Sequence, residues 1–242
     1  MGNFGCIDNT ALEKMVLPQG VTKEDYLQAL TADVLGTARK LVSTCRVSGK
    51  RREEFLETIL QGNLDETWVD DDGNPIPREA LQLLRDCETR WSSTYFMVDR
   101  VLVMLPVCFA MLSFIISDPT HSQVIKLFSR RPNISDANIR MPSAAEVCVL
   151  DHIHAVMSVP HDAQESLSSD STPTLSYSLP FYHSIVDEWE HLKGVYPLLS
   201  PFIGIGINKV NMYISKSKLS RTYLLATCSS QHLLNANYVL MQ

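Results

Sequence analysis

The chain has 242 residues, 45% of them hydrophobic, enough to bury one good core or two small ones. Its 21 Lys and Arg are outnumbered by 27 Asp and Glu, a formal net charge of -6. That balance excludes a protein basic throughout and confines any nucleic-acid binding to a local basic patch.

The 6 cysteines, at positions 6, 45, 87, 108, 148 and 228, form no Cys-x-x-Cys pair, and no signal peptide is read. Reduced, buried thiols in an intracellular protein are expected. Cys and His never cluster with zinc-ligand spacing, and His152 and His154 are two apart, the wrong step for one helix face.

In chain order, residues 1–20 hold no sustained period, and Pro18-Gln19-Gly20 reads as a turn. Thr22 with Asp25 three residues on approximates a capping box, and a helix is predicted over 23–46. Its apolar face is Leu27, Leu30, Val34, Ala38, Leu41 and Val42. Ser48 then suits an N-cap for a second helix to about Leu60. Arg46, Lys50, Arg51 and Arg52 make its start the densest positive charge in the chain, with Glu53 and Glu54 alongside as natural partners.

Residues 63–77 read as an acidic loop around Asp70-Asp71-Asp72-Gly73. The alternating oxygen ligands and distant Glu of a calcium loop are absent. A short apolar stretch, Pro77–Leu84, suits a helix or a strand, and any strand content is expected around 78–90.

From Ser93 a helix carries Tyr95, Phe96, Val98, Val101, Leu102 and Leu105, and Pro106 is expected to kink or divide it. The apolar run Val101–Ile116 falls short of the roughly 20 residues that span a bilayer, so a core helix is expected and no membrane partner. Residues 118–142 form an irregular linker.

Ser143 and Glu146 form a capping box for a helix through Val159, which Pro160 breaks or bends. Further helices are predicted from Leu175 to about Tyr196, and from Pro201 with Phe202, Ile205, Ile207, Val210 and Tyr213 as its apolar positions. A shorter apolar helix follows over 219–228, then a divergent tail over 229–242. Gly204-Ile205-Gly206 lies in a helical pattern and lacks the context of a phosphate loop.

The stretch richest in chemistry is Leu81–Tyr95. Trp91 is bracketed by Arg85, Arg90 and Arg100 and followed by Ser92, Ser93 and Thr94. A flat ring, fixed positive charge and neutral donors suit base stacking and phosphate contact. The same residues also suit a plain helix start, with Ser92 or Ser93 as the cap and Trp91 packed beneath.

Leu-Leu-Arg-Asp-x-x-Thr-Arg-Trp-Ser-Ser-Thr (residues 83–94) resembles the Arg-Trp block of hAT-superfamily DNA transposases of fungal type. Further resemblances follow in the same order. They are Arg46-x-Ser-x-x-Arg-Arg-x-x-Phe55 upstream, and Thr172-Pro-Thr-Leu-Ser176 with Leu179-Pro180 downstream. Trp189-Glu-x-Leu192 with Pro197-x-Leu-x-Pro-Phe-Ile203 comes next, and Tyr223-Leu-Leu-Ala226 last. The chain departs from the pattern at Cys148, where a Trp is preferred. It also lacks an Asn-Pro continuation after Ala226 and a Cys-x-x-His segment in residues 1–20.

The resemblance implies a mainly α fold: over 21–228, the helical insertion domain of an RNase H-like transposase, with the catalytic sheet largely missing. It implies DNA contact by Arg90 and Trp91, with Lys50, Arg51 and Arg52 touching phosphates. The intact family cuts DNA with two Asp and one Glu around divalent metal such as Mg2+. The chain carries no counterpart of that set, so catalysis by this fragment, and a cofactor for it, are not expected. DNA and a second copy are the implied partners and the nucleus the implied location. A helical protein-interaction scaffold with no nucleic-acid role is the alternative.

Overall fold

The computed structural model describes residues 17–18, 20–68, 74–87, 91–116, 142–168, 175–222 and 225. Outside the described residues lie Arg90, Asp70–Asp72, nearly all of the 118–142 linker, the tail 229–242, most of the segment 1–20 and half of 219–228. The described chain is mainly helical, as expected, and its β content is limited to isolated bridge positions at Pro75 and Cys87. It divides into two compact units, 18–151 and 152–242 with 1–17.

In the first unit, α1 is Lys23–Thr31, α2 Val34–Cys45, α3 Gly49–Leu64 and α4 Trp91–Ile116. The predicted single helix over 23–46 is therefore two. Asp33 interrupts it: its side chain accepts from Gly36 N at 2.8 Å and so caps a new helix. The break also shifts the phase. Tyr26 and Ala29 are buried in α1, whereas Leu27 and Leu30 are only half-buried; beyond the break Val34, Ala38, Leu41 and Val42 are buried as predicted.

Thr22 and Ser48 are the N-caps that sequence suggests, accepting from Asp25 N at 3.1 Å and Arg51 N at 3.2 Å. Phe55, Ile59 and Gly62 line the buried face of α3. After α3 the chain turns back through Glu66, at a positive φ of 51°, and lays Trp68 on the helix it has just left. The indole Nε1 donates to Ile59 O at 3.2 Å.

α4 buries Met97, Val98, Val101, Met104 and Leu105, a helical stripe that packs on α2 and α3. The helix continues past Pro106 to Ile116 rather than dividing there. No helix among the described residues is long and apolar enough to cross a membrane.

Helix α5 is Ala144–Leu167. Its capping box forms as predicted: Glu146 N donates to Ser143 Oγ at 3.2 Å, and Ser143 N donates to Glu146 Oε2 at 2.9 Å. Pro160 sits inside this helix without ending it. A proline has no N–H to give the carbonyl four residues back. That carbonyl is Val156 O, and it accepts from the indole Nε1 of Trp189 at 2.9 Å instead.

Trp189 belongs to α6, Ser178–Val195, in the second unit. A 3-10 turn at Pro197–Leu199 joins α6 to α7, Ser200–Leu219, and the two helices pack along their length. The Trp189 ring lies over Gly206 of α7, where an added Cβ would stand 2.8 Å from the ring. The buried face of α7 is Ile203, Ile207, Ile214 and Ser217. Of the predicted apolar positions Ile207 is buried and Val210 half-buried, while Phe202, Ile205 and Tyr213 face solvent.

Candidate nucleic-acid interface

The stretch that suits a helix or a strand, with any strand content expected around 78–90, is a single extended strap over residues 74–87, with no strand beside it among the described residues. Buried peptide groups need partners, and here side chains from the surrounding helices supply them. Asn63 of α3 does the work of a neighbouring strand at Arg78, donating to its carbonyl at 2.8 Å and accepting from its N–H at 2.7 Å. Arg100 of α4 donates to Gln82 O at 3.0 Å, and Arg46 donates to Leu83 O. In return Gln82 donates to Arg52 O at 2.8 Å and Arg85 to Arg46 O at 3.2 Å. Leu83 is driven fully into the core.

The end of the strap is fastened to α2 and α4. Asp86, its side chain only 7% exposed, accepts from Arg39 Nε and Nη2 at 2.8 Å and from Thr94 Oγ1 at 3.1 Å. Ser93 Oγ accepts from Cys87 N at 2.8 Å and lies 3.0 Å from Cys87 O. The hydroxyls of Ser93 and Thr94, read from sequence as donors near Trp91, are thus turned onto the strap. Asp86→Ala is expected to lower stability by about 1.5–3 kcal/mol, the range for hydrogen bonds to a charged group, with the partly exposed Arg39 re-solvating. Denaturant unfolding measures the loss, and faster amide exchange confined to 82–87 would locate it.

The strap brings together charges that are distant in sequence. Burial holds the Arg46 guanidinium below its usual pKa, and the positive charges of Arg52 and Arg85 push it further the same way. Three guanidinium groups therefore share one neighbourhood at the junction of α2, α3 and the strap. Arg52 and Arg85 are exposed, and neither has an ion-pair partner among the described residues.

The other predicted contacts are placed differently. Lys50 is exposed, with Nζ 3.8 Å from Glu54. Arg51 is buried, with Nε 3.9 Å from the same carboxylate, so it serves α3 rather than presenting charge to solvent. Trp91 is the first residue of α4; its side chain and all of Arg90 lie outside the described residues. Arg46 and Arg85 were visible as positive residues, but nothing in their local pattern indicated that they meet.

Among the described residues no three His, Cys, Asp or Glu side chains are gathered where one metal ion could be held. No protein-family model, curated protein or solved structure matches the chain.

Proposed function

We propose that residues 21–228 are the helical region of a hAT-like transposase fragment, inactive in catalysis on its own, that binds DNA through Arg52 and Arg85, gathered around Arg46, beside the Arg-Trp block. One juxtaposition carries the reading. The two basic blocks in which the sequence resembles the family lie more than thirty positions apart, and Arg85 donates to Arg46 O while the charges of Arg52 and Arg85 both bear on the Arg46 guanidinium. Exposed guanidinium groups without carboxylate partners are what a phosphate backbone requires. Trp91 adjoins this cluster in sequence through residues 85–91, and in this reading its ring would stack on a displaced base. Self-association and residence in the nucleus belong to the same reading.

Binding of a fluorescent duplex, titrated across salt concentration, tests it. Affinity is expected to fall steeply with salt, and Arg52→Gln or Arg85→Gln to reduce the slope of log K against log salt by about 1 each. Trp91→Ala is expected to weaken binding to a duplex carrying an unpaired base more than binding to a plain duplex. Absence of binding at low salt rejects the DNA reading. It leaves the helical interaction scaffold, which the solvent-facing apolar side of α7 favours.

A further inference from the structure

Helix α7 has two faces. The inner one, Ile203, Ile207, Ile214 and Ser217, packs within the 152–242 unit. Along the opposite side run Phe202, Ile205, Lys209, Met212, Lys216 and Leu219, at steps of three and four residues in strict alternation. That is the spacing of a coiled-coil seam. These apolar side chains are in water: Ile205 is 69% exposed and Leu219 86%.

The polar residues in the seam limit what can cover it. Helix α7 carries Lys209, Lys216 and Lys218 and no Asp or Glu at all. Lys209 reaches over the ring of Tyr213 at 5.6 Å, and Lys216 has no ion-pair partner among the described residues. A second copy aligned in parallel would oppose Lys209 to Lys209 and Lys216 to Lys216. In either orientation this helix offers no carboxylate to compensate them. A lipid surface prefers cations at the rim of an apolar face, whereas these two interrupt its middle.

From this pattern we infer that the outer face of α7 is a docking seam for an acidic amphipathic helix of another protein, whose Asp or Glu side chains meet Lys209 and Lys216 between apolar layers at Ile205, Met212 and Leu219. The inference is independent of DNA binding, since none of these residues belongs to the Arg46–Arg52–Arg85 cluster.

The probe is a synthetic helical peptide of about three heptads with Leu and Glu alternating along its seam, titrated onto the full chain. Saturable binding that weakens with salt is expected. Ile205→Asp and Lys216→Glu should each weaken it by roughly tenfold or more, as a like-charge or desolvated contact does. Lys216→Glu should in turn gain affinity for the matching Leu/Lys peptide. Both substitutions are at exposed positions, and an unchanged melting temperature confirms that the fold is intact. Equal binding of Leu/Glu and Leu/Lys peptides overturns the inference. So does association only with phosphatidylserine vesicles, or a dimer in sedimentation that Ile205→Asp abolishes.

Discussion

Trp189→Ala is expected to destabilise the 152–242 unit by about 3–4 kcal/mol, a large share of the roughly 5–15 kcal/mol that holds a typical domain folded. The indole serves three helices at once. Its ring fills the space over Gly206 of α7, and its N–H satisfies the carbonyl of Val156 in α5, which Pro160 leaves without a backbone donor. The two contributions can be separated. Trp189→Phe keeps most of the ring and removes the N–H, at an expected cost of about 1–2 kcal/mol for the abandoned carbonyl. In a Pro160→Ala background residue 160 recovers its own N–H, which can donate to Val156 O. The same Trp189→Phe change should then cost about 1 kcal/mol less. Urea unfolding of the four proteins of this cycle measures the difference. Strict additivity would mean that the carbonyl is satisfied in some other way.

The second large effect is at Gly62. The position lies inside α3, where glycine is ordinarily a weakness, but a Cβ built there would fall 2.2 Å from the six-membered ring of Trp68. No small adjustment relieves that overlap, because Trp68 is tethered at both ends. Its Nε1 donates to Ile59 O at 3.2 Å, and Thr67 N donates to Gly62 O at 2.8 Å. Gly62→Val is therefore expected to expel the indole and to cost about 3–5 kcal/mol, close to the loss for truncating the tryptophan itself. A red shift of the Trp68 emission, read in a chain with Trp91 and Trp189 replaced by Phe, reports the expulsion. Unchanged emission with unchanged stability would show that the ring can repack.

Features fixed within one helical turn were readable from sequence. Thr22, Ser48 and Ser143 cap their helices as expected because donor and acceptor are three residues apart. The break at Asp33 was equally local, with Gly36 three residues on, but an unbroken run of apolar spacing over 27–42 concealed it. The strap could not be read this way. Its apolar stretch suits a strand, and its actual partners are Asn63, Arg46, Arg39 and Arg100, between 15 and 47 positions away. Nothing near Leu83 indicates that an arginine side chain will take the place of a neighbouring strand. The two faces of α7 were confounded for another reason. Isoleucine occurs on both sides of the helix, and Phe202 and Tyr213 lie on the exposed one, so periodicity alone did not distinguish the packed side from the exposed one. As for the site, the basic block at 46–52 was plain as charge. Its meeting with Arg85 depends on the strap, and was invisible for the same reason.

The manner in which the strap is held has a kinetic consequence. Helices α6 and α7 are neighbours in sequence joined by one short turn, so their pairing closes a small loop and can be made early. The strap gains its partners only after α2, α3 and α4 are all in place. Its bonds to Arg52, Arg46 and Arg39 span 30 to 47 positions, and each closure costs chain entropy before any contact repays it. The half of the molecule bearing the arginine cluster is thus expected to be the slower to mature. Until its last step it would expose both the seat of Leu83 and three guanidinium groups not yet gathered into one place.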